Sequence, residues 1–275
     1  GRVLRASWRL RRRTERRTRA MTADQARAAI LVPLDNQGVN PATLEVLVHL
    51  AQQQDRRLLG LILENPHLQR VAALPFTTEI LLGTGLERSL ERDHLSRHHS
   101  QVAADTRRRL LALARQARIE LNFEEDRGER WHAALARADQ LDIFMLPRRR
   151  WQNPGAPAAR ERRPISRLGL LMSGSDLDHR LVTTALSLEE AGLVGSVYAL
   201  YAGKPNMDTC APLLLGRARC HVQSGAPTDA AGLTNLIRRS PYDLLIMSRE
   251  RLANIPAEIL DAALEAAGGQ VMVVS

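Results

Sequence analysis

The chain has 275 residues, of which 44% are hydrophobic and 3% aromatic, enough for a sizeable core of aliphatic side chains. The net charge of +9 falls mainly on residues 1–20, whose nine arginines and one glutamate leave only +1 for the rest of the chain. A nearly neutral body argues against general binding to a nucleic-acid backbone. Two cysteines are too few for a disulfide framework, and no apolar run reaches the roughly 18 residues of a membrane span.

The arginine-rich segment, residues 1–20, ends just before Met21 and has three explanations. It is upstream sequence included by a wrong start site, a basic arm that binds RNA, DNA or anionic lipid, or a transit peptide. We favour the first explanation, in which Met21 is the initiator. Because like charges repel at this density, we predict that residues 1–24 form a disordered basic segment.

Strands and helices alternate along the next part of the chain. The apolar run 28–34 predicts a strand that is buried on both faces. Asn40 and Pro41 then fit the cap and first position of a helix that reaches Gln53, and a second strand follows at 58–63.

The alternation continues after an irregular stretch, 67–85. The sequence predicts a long helix at 87–118, a strand at 119–123, a helix at 129–138 and a strand at 141–146. Prolines and arginines then mark residues 148–164 as a linker. We therefore predict a first domain over 25–147 and a second over 165–275.

The same order of elements begins again after the linker. The predicted strands cover 168–173, 194–201, 218–223, 242–247 and 270–275. The predicted helices cover 178–191, 211–216, 229–239 and 256–267. Strands that alternate with helices indicate an α/β fold with mainly parallel sheets, right-handed crossovers and helices on both faces. The repeated order indicates an internal duplication.

Four short segments resemble the universal stress protein family. Residues 30–36 (ILVPLDN) are similar to the family's opening strand, 141–146 and 242–248 to its fourth strand, and 270–274 to its final strand. The resemblance covers about residues 28–275. It implies a tandem protein of two flavodoxin-like or adenine-nucleotide-alpha-hydrolase-like units. The two cysteines, which lack metal-site spacing, indicate a reduced chain in the cytoplasm.

The family's ATP-binding members have a glycine-rich stretch after the fourth strand, where backbone N–H groups approach phosphate oxygens closely. Pro147–Arg150 and residues 248–252 occupy that place here, and neither segment contains glycine. We therefore expect no cofactor, with ATP or another adenine nucleotide as the alternative. In that alternative the cofactor-binding residues are Asp35, Pro33, Arg148, Arg149 and Arg150.

Other polar residues have a structural explanation beside the functional one. The three arginines at 148–150 follow a strand end and could bind an anion, although a solvated basic linker also explains them. His94 and His98 share a helix face and are a weak metal site without a clear third ligand. Asp176 and Asp178 suit the start of a helix better than acid–base catalysis.

No paired acid and base, nucleophile motif or phosphate loop is evident, so we predict that the protein is not an enzyme. The first hypothesis is a stress-response or regulatory protein that acts through protein partners or a weakly bound ligand, its two domains paired within the chain. The resemblance also implies a homodimer as an alternative assembly. The second hypothesis is an adenine-nucleotide or anion sensor. The third is nucleic-acid binding through residues 1–20, the only part for which we expect it.

Overall fold

The computed structural model describes residues 29–34, 41–64, 70–71, 74, 76–80, 85–89, 92–127, 134, 141–146 and 165–275. The predicted α/β class is confirmed, since a mainly parallel sheet carries helices on both of its faces. The predicted basic segment, the linker and most of the predicted helix at 129–138 lie outside the described residues. None of the described helices combines the length and apolar character needed to cross a lipid bilayer.

The elements are numbered in chain order. The strands are β1 (Ala29–Leu34), β2 (Arg57–Glu64), β3 (Thr78–Ile80), β4 (Glu87–Ser89), β5 (Leu121–Arg127), β6 (Asp142–Met145), β7 (Ile165–Met172), β8 (Val194–Tyr201), β9 (Arg219–Ser224), β10 (Leu244–Ser248) and β11 (Gln270–Val274). The α-helices are α1 (Pro41–Gln53), α2 (Arg92–Ala117), α3 (Asp178–Glu190), α4 (Met207–Leu214), α5 (Ala230–Arg238) and α6 (Ala257–Ala266), and a 3-10 helix covers Arg249–Leu252.

One sheet of nine strands contains both halves of the chain, in the order β5-β2-β1-β6-β11-β10-β7-β8-β9. Pairing is parallel within each half, and the halves meet where β6 and β11 pair antiparallel. Thus β11, from the second half, lies beside β6. The sequence predicts only four strands in the first half, so that half has no fifth strand for this position. The strand β7 pairs with β8 and β10 and belongs to the second half alone.

The predicted start of the long helix was wrong. The helix α2 begins at Arg92 instead of residue 87, because Glu87–Ser89 pairs antiparallel with Thr78–Ile80 as a two-stranded hairpin. Its first strand, β3, lies in the stretch that the sequence indicated to be irregular. The strand predicted at 119–123 begins later, at Leu121, because Arg118 adopts a positive φ of 58° and ends the helix with a turn.

The core consists of two layers, one on each face of the sheet. Residues from α1, α2, α3 and α4 pack on one face, and residues from α5 and α6 pack on the other. The central strands β1, β10 and β11 are buried along their whole length, as their continuous apolar runs predict for a parallel sheet. The edge strand β9 is largely exposed.

Asp142, at the start of β6, connects the two halves. Its carboxylate is 2% exposed and forms a salt bridge with Arg56 of the first half and, at 3.2 Å, with Arg180 of α3. It also accepts a hydrogen bond of 2.9 Å from the backbone N–H of Ser275. Because a buried carboxylate is stable only when it is paired, these contacts fix the register at which the halves meet.

Candidate functional site

The carboxyl ends of β7 and β10 form the best candidate for a binding crevice. These two strands are neighbours, yet β7 leads through α3 on one face and β10 follows α5 on the other. Ligands of open α/β sheets bind at such a switch point, outside the carboxyl ends of the strands. The loop 173–175 follows β7 here, and Arg249–Leu252 follows β10.

Most of the predicted binding residues belong to the equivalent region of the first half. Asp35, Arg148, Arg149 and Arg150 lie outside the described residues. Pro33 is buried in β1, where it pairs with Leu61 of β2 and has no N–H to offer a ligand.

The weak metal candidates lie on α2, although only the backbone of His94 and His98 is described. Among the side chains that the structure describes, no group of three or more His, Cys, Asp or Glu is placed to hold a metal ion. The weak metal site thus remains a prediction.

Asp178 fills the part of the second-half crevice where a phosphate would bind. Its carboxylate, 3% exposed, accepts hydrogen bonds of 2.8 Å from the backbone N–H groups of Ser173 and Gly174. It accepts another, of 2.9 Å, from the Ser173 hydroxyl. Gly174 has a φ of 81°, which suits glycine and turns its N–H toward the carboxylate. The donors that could hold an anion are therefore occupied by a group of the chain itself.

Arg251 lies beside this acid, on the 3-10 helix after β10. One guanidinium nitrogen donates to the Pro227 carbonyl at 3.2 Å, whereas its Nε is buried and has no acceptor among the described residues. Burial lowers the pKa of Arg251, and the nearby charge of Asp178 opposes that shift. The Ser248 hydroxyl, at the end of β10, is also buried without a partner in the described part of the chain. The crevice thus holds a positive charge and two unused polar atoms.

Two nucleophilic side chains in this half, Cys220 and Tyr201, are held in their protonated forms. Burial raises the pKa of Cys220 to about 11, so its thiol is protonated at neutral pH. Burial and a hydrogen bond of 3.0 Å with Cys210 raise the pKa of Tyr201. Neither arrangement activates a nucleophile.

Sequence reasoning assigned Asp178 to the start of a helix, and it does lie in the first turn of α3. Its hydrogen bonds, however, go to the preceding loop instead of the free N–H groups of the helix. The role of Arg251 was missed, since the sequence shows only that residues 248–252 lack glycine. An arginine three residues after a buried strand was the available signal.

Comparison with known proteins identifies no matching family model and no matching curated protein. Among solved structures, a universal stress protein from Archaeoglobus fulgidus is 12% identical, with a TM-score of 0.46, over 90% of this chain and 96% of that one. A protein of unknown function from Pseudomonas aeruginosa is 12% identical, with a TM-score of 0.41, over 92% of this chain and 94% of that one. One of these two structures thus belongs to the family that the sequence resembles.

A third similar structure, MurG from Acinetobacter baumannii, is 12% identical and has a TM-score of 0.26 over 89% of this chain. Likeness at these levels does not assign a function. The strand order and the crevice define the class: a doubly wound α/β protein whose second-half switch point is filled by its own side chains.

Proposed function

We propose that this chain is a universal-stress-protein-like regulatory protein of the cytoplasm that acts through protein partners and not through catalysis or bound ATP. The observation that carries this proposal is the carboxylate of Asp178 on the amides of Ser173 and Gly174. A triphosphate would have to displace a carboxylate that already has three hydrogen bonds. It would also meet that negative charge, which repels phosphate.

The resemblance in the sequence supports the same proposal. Residues 30–36 are similar to the family's opening strand, while the two segments at the family's glycine-rich position contain no glycine. Side chains in place of glycine keep the backbone away from a phosphate. A chain that keeps the family's strands without its phosphate-binding backbone is suited to recognition between proteins.

Titration of the full chain with Mg²⁺ and ATP by calorimetry tests this function. We expect no saturable heat at ATP concentrations up to about 1 mM. A Kd of that size would correspond to a binding free energy of about −4 kcal/mol. Asp178→Ser should free the two amides and gain weak affinity for inorganic phosphate. The matched control is Asp176→Ser, which changes an exposed acid two residues away and should gain none. Micromolar, Mg²⁺-dependent binding by the unmodified chain would refute the proposal.

A second candidate, an anion sensor, is favoured by one observation. Neither the buried Nε of Arg251 nor the buried hydroxyl of Ser248 has a hydrogen-bond partner among the residues that the structure describes, and each could donate to a small anion. If this candidate is correct, the unmodified chain binds inorganic phosphate and Arg251→Ala abolishes the binding. If the unmodified chain binds no phosphate, this candidate is excluded.

A further inference from the structure

The second half carries a row of stacked planar side chains on the sheet face that α5 covers only in part. The rings of Tyr198 and His221 stack with centroids 4.7 Å apart and an interplanar angle of 17°. The Arg167 guanidinium lies 4.9 Å from the centroid of Tyr198 and 5.6 Å from that of Tyr242. Together with Arg219, these residues form what we call the stacking surface.

Strand register explains why these side chains stand in rows. Arg167 pairs with Ser196 and Ser196 with Arg219, so the two arginines lie on one line across three strands. One step further along, Tyr198 pairs with Gly169 on one side and with His221 on the other. Residues paired across neighbouring parallel strands lie on the same face of the sheet. A row of cations therefore runs beside a row of rings.

Gly169 makes room for the second ring of that row. A Cβ at this position would lie 2.7 Å from Cδ2 of Tyr242, so only glycine lets this ring lie flat on the sheet. Tyr242 is 7% exposed and forms the floor, whereas His221 is exposed on the edge strand β9. The stack ends there, with no strand beyond β9 in the nine-stranded sheet. A further planar group can extend the stack from the outer side of His221.

Arginines outnumber acids around this surface. Exposed arginines lie at this end of the second half, at positions 167, 217, 219, 238 and 239. None of them forms an ion pair with a residue that the structure describes. The nearby acid, Asp243, accepts the Arg167 backbone N–H at 2.9 Å. Residues 165–275 hold nine basic and eleven acidic residues, so this concentration of positive charge is local.

We propose that the stacking surface binds single-stranded nucleic acid, with a base on His221 and phosphates on Arg219 and its neighbours. Bases of single strands stack on Tyr, His and Arg side chains, and arginines hold the backbone. An acidic peptide would use the arginines but would leave the stack unused. This site is separate from the basic segment at residues 1–20, and the proposal does not depend on the function of the crevice.

The test uses the full chain and a fluorescein-labelled oligothymidylate of about 20 nucleotides, with binding followed by anisotropy. We expect His221→Ala to weaken binding roughly 5- to 150-fold, because stacking on an aromatic ring contributes about 1–3 kcal/mol per base. His221→Phe, which keeps an aromatic ring without the imidazole nitrogens, should retain affinity within about twofold. The matched control Gln223→Ala, on the same face of β9, should have no effect.

A second pair of variants tests the phosphate contacts. Arg219→Gln should lower the salt dependence of binding, reducing the slope of log Kd against log salt by about 0.7. Lys204→Gln removes one exposed cation from the opposite end of β8 and should leave that slope unchanged. All variants keep residues 1–20, so the contribution of the basic segment is the same in each.

Three results would overturn the proposal. The first is equal affinity of His221→Ala and the unmodified chain, which would assign all binding to the basic segment. The second is equal loss in His221→Ala and His221→Phe, which would show that the imidazole nitrogens act without stacking. The third is displacement of the probe by poly-glutamate as readily as by unlabelled oligonucleotide, which would indicate an acidic-protein partner.

Discussion

The two outer regions of the sheet share one packing arrangement but differ in what surrounds it. In the first half, Gly60 lies under the ring of Phe123, and Arg107 stands 4.9 Å from the ring centroid. In the second half, Gly169 lies under the ring of Tyr242, with Arg167 stacked above. A glycine, a ring and an arginine thus recur in two distant parts of the sheet.

The surroundings of the two rings differ. Arg107 comes from α2, so the first-half ring lies between the sheet and a helix. The edge strand β5, which carries this ring, also carries Glu124, Glu125 and Asp126. In the second half, Arg167 comes from the sheet itself and the row continues to the exposed His221. The same arrangement therefore stabilises packing where a helix covers it, and forms an open basic surface where the covering helix leaves it partly exposed.

This comparison holds only if both halves belong to one folding unit. Substitution of Asp142 tests that condition and has the largest expected effect. We expect Asp142→Ala to lower the free energy of unfolding by about 3–5 kcal/mol, because it leaves Arg56, whose side chain is 10% exposed, unpaired. Urea unfolding followed by circular dichroism measures the change. The control Asp105→Ala removes a salt bridge with Arg108 whose side chains are exposed, and should cost at most about 1 kcal/mol. Equal effects of the two variants would mean that the junction adds little stability.

The two glycines provide the next test. A Cβ at Gly60 would lie 2.6 Å from Cδ1 of Phe123, and one at Gly169 would lie 2.7 Å from Cδ2 of Tyr242. We expect Gly60→Ala and Gly169→Ala each to destabilise the fold by about 1–3 kcal/mol, since the ring must move. Gly203→Ala, with no atom within 4 Å of its Cβ, is the control for thermal or urea unfolding. Only Gly169→Ala should also weaken oligonucleotide binding. If Gly60→Ala weakened this binding as well, the two regions would not differ in function.

The arginines above the rings should contribute less. Double-mutant cycles of Arg107→Ala with Phe123→Leu, and of Arg167→Ala with Tyr198→Leu, should each give coupling of about 0.5–1 kcal/mol in urea unfolding. Arg167→Ala should weaken oligonucleotide binding, whereas Arg107→Ala should not. A coupling near zero at Arg167 would show that its stacking has no energetic role.

The smallest expected effect is on the reactivity of the Cys220 thiol, which reports whether β9 stays paired at the edge of the sheet. Burial, with smaller effects of Cys210 and Glu189, raises the pKa of its thiol from 9.0 to about 11, so the thiolate at pH 8 is roughly 100-fold scarcer than for an ordinary thiol. We expect correspondingly slow reaction with a disulfide reagent, and fast reaction in denaturant. Because the folded pKa is raised, the related stabilisation is full below pH 9 and is lost as pH rises through about 11. Fast labelling of the native protein would indicate that the open edge frays.

The sequence predicted most strands because their apolar runs are continuous. The strand predicted at 194–201 matches β8 in both bounds, and the helix predicted at 178–191 differs from α3 by one residue. The pairing of β6 with β11 was not predictable, since it depends on two runs about 130 residues apart whose apolar patterns would suit many partners.

The candidate sites were predicted less well. Asp178 was recognisable from its position before a helix, but the burial of Arg251 depends on packing of a loop from β9 that no local pattern records. The stacking surface was not predicted either. Arg167, Tyr198 and His221 come from three strands, and only the register of the sheet brings them into line.

The position of β11 in the sheet has a consequence for how the chain acquires its shape during synthesis. The residues of β6 leave the ribosome about 125 residues before those of β11 that they pair with, on the order of ten seconds at ordinary translation rates. During that interval an apolar strand has an unsatisfied edge, which invites pairing with other nascent chains. Chaperone demand and aggregation during expression should therefore be set by that delay more than by the stability of the finished protein.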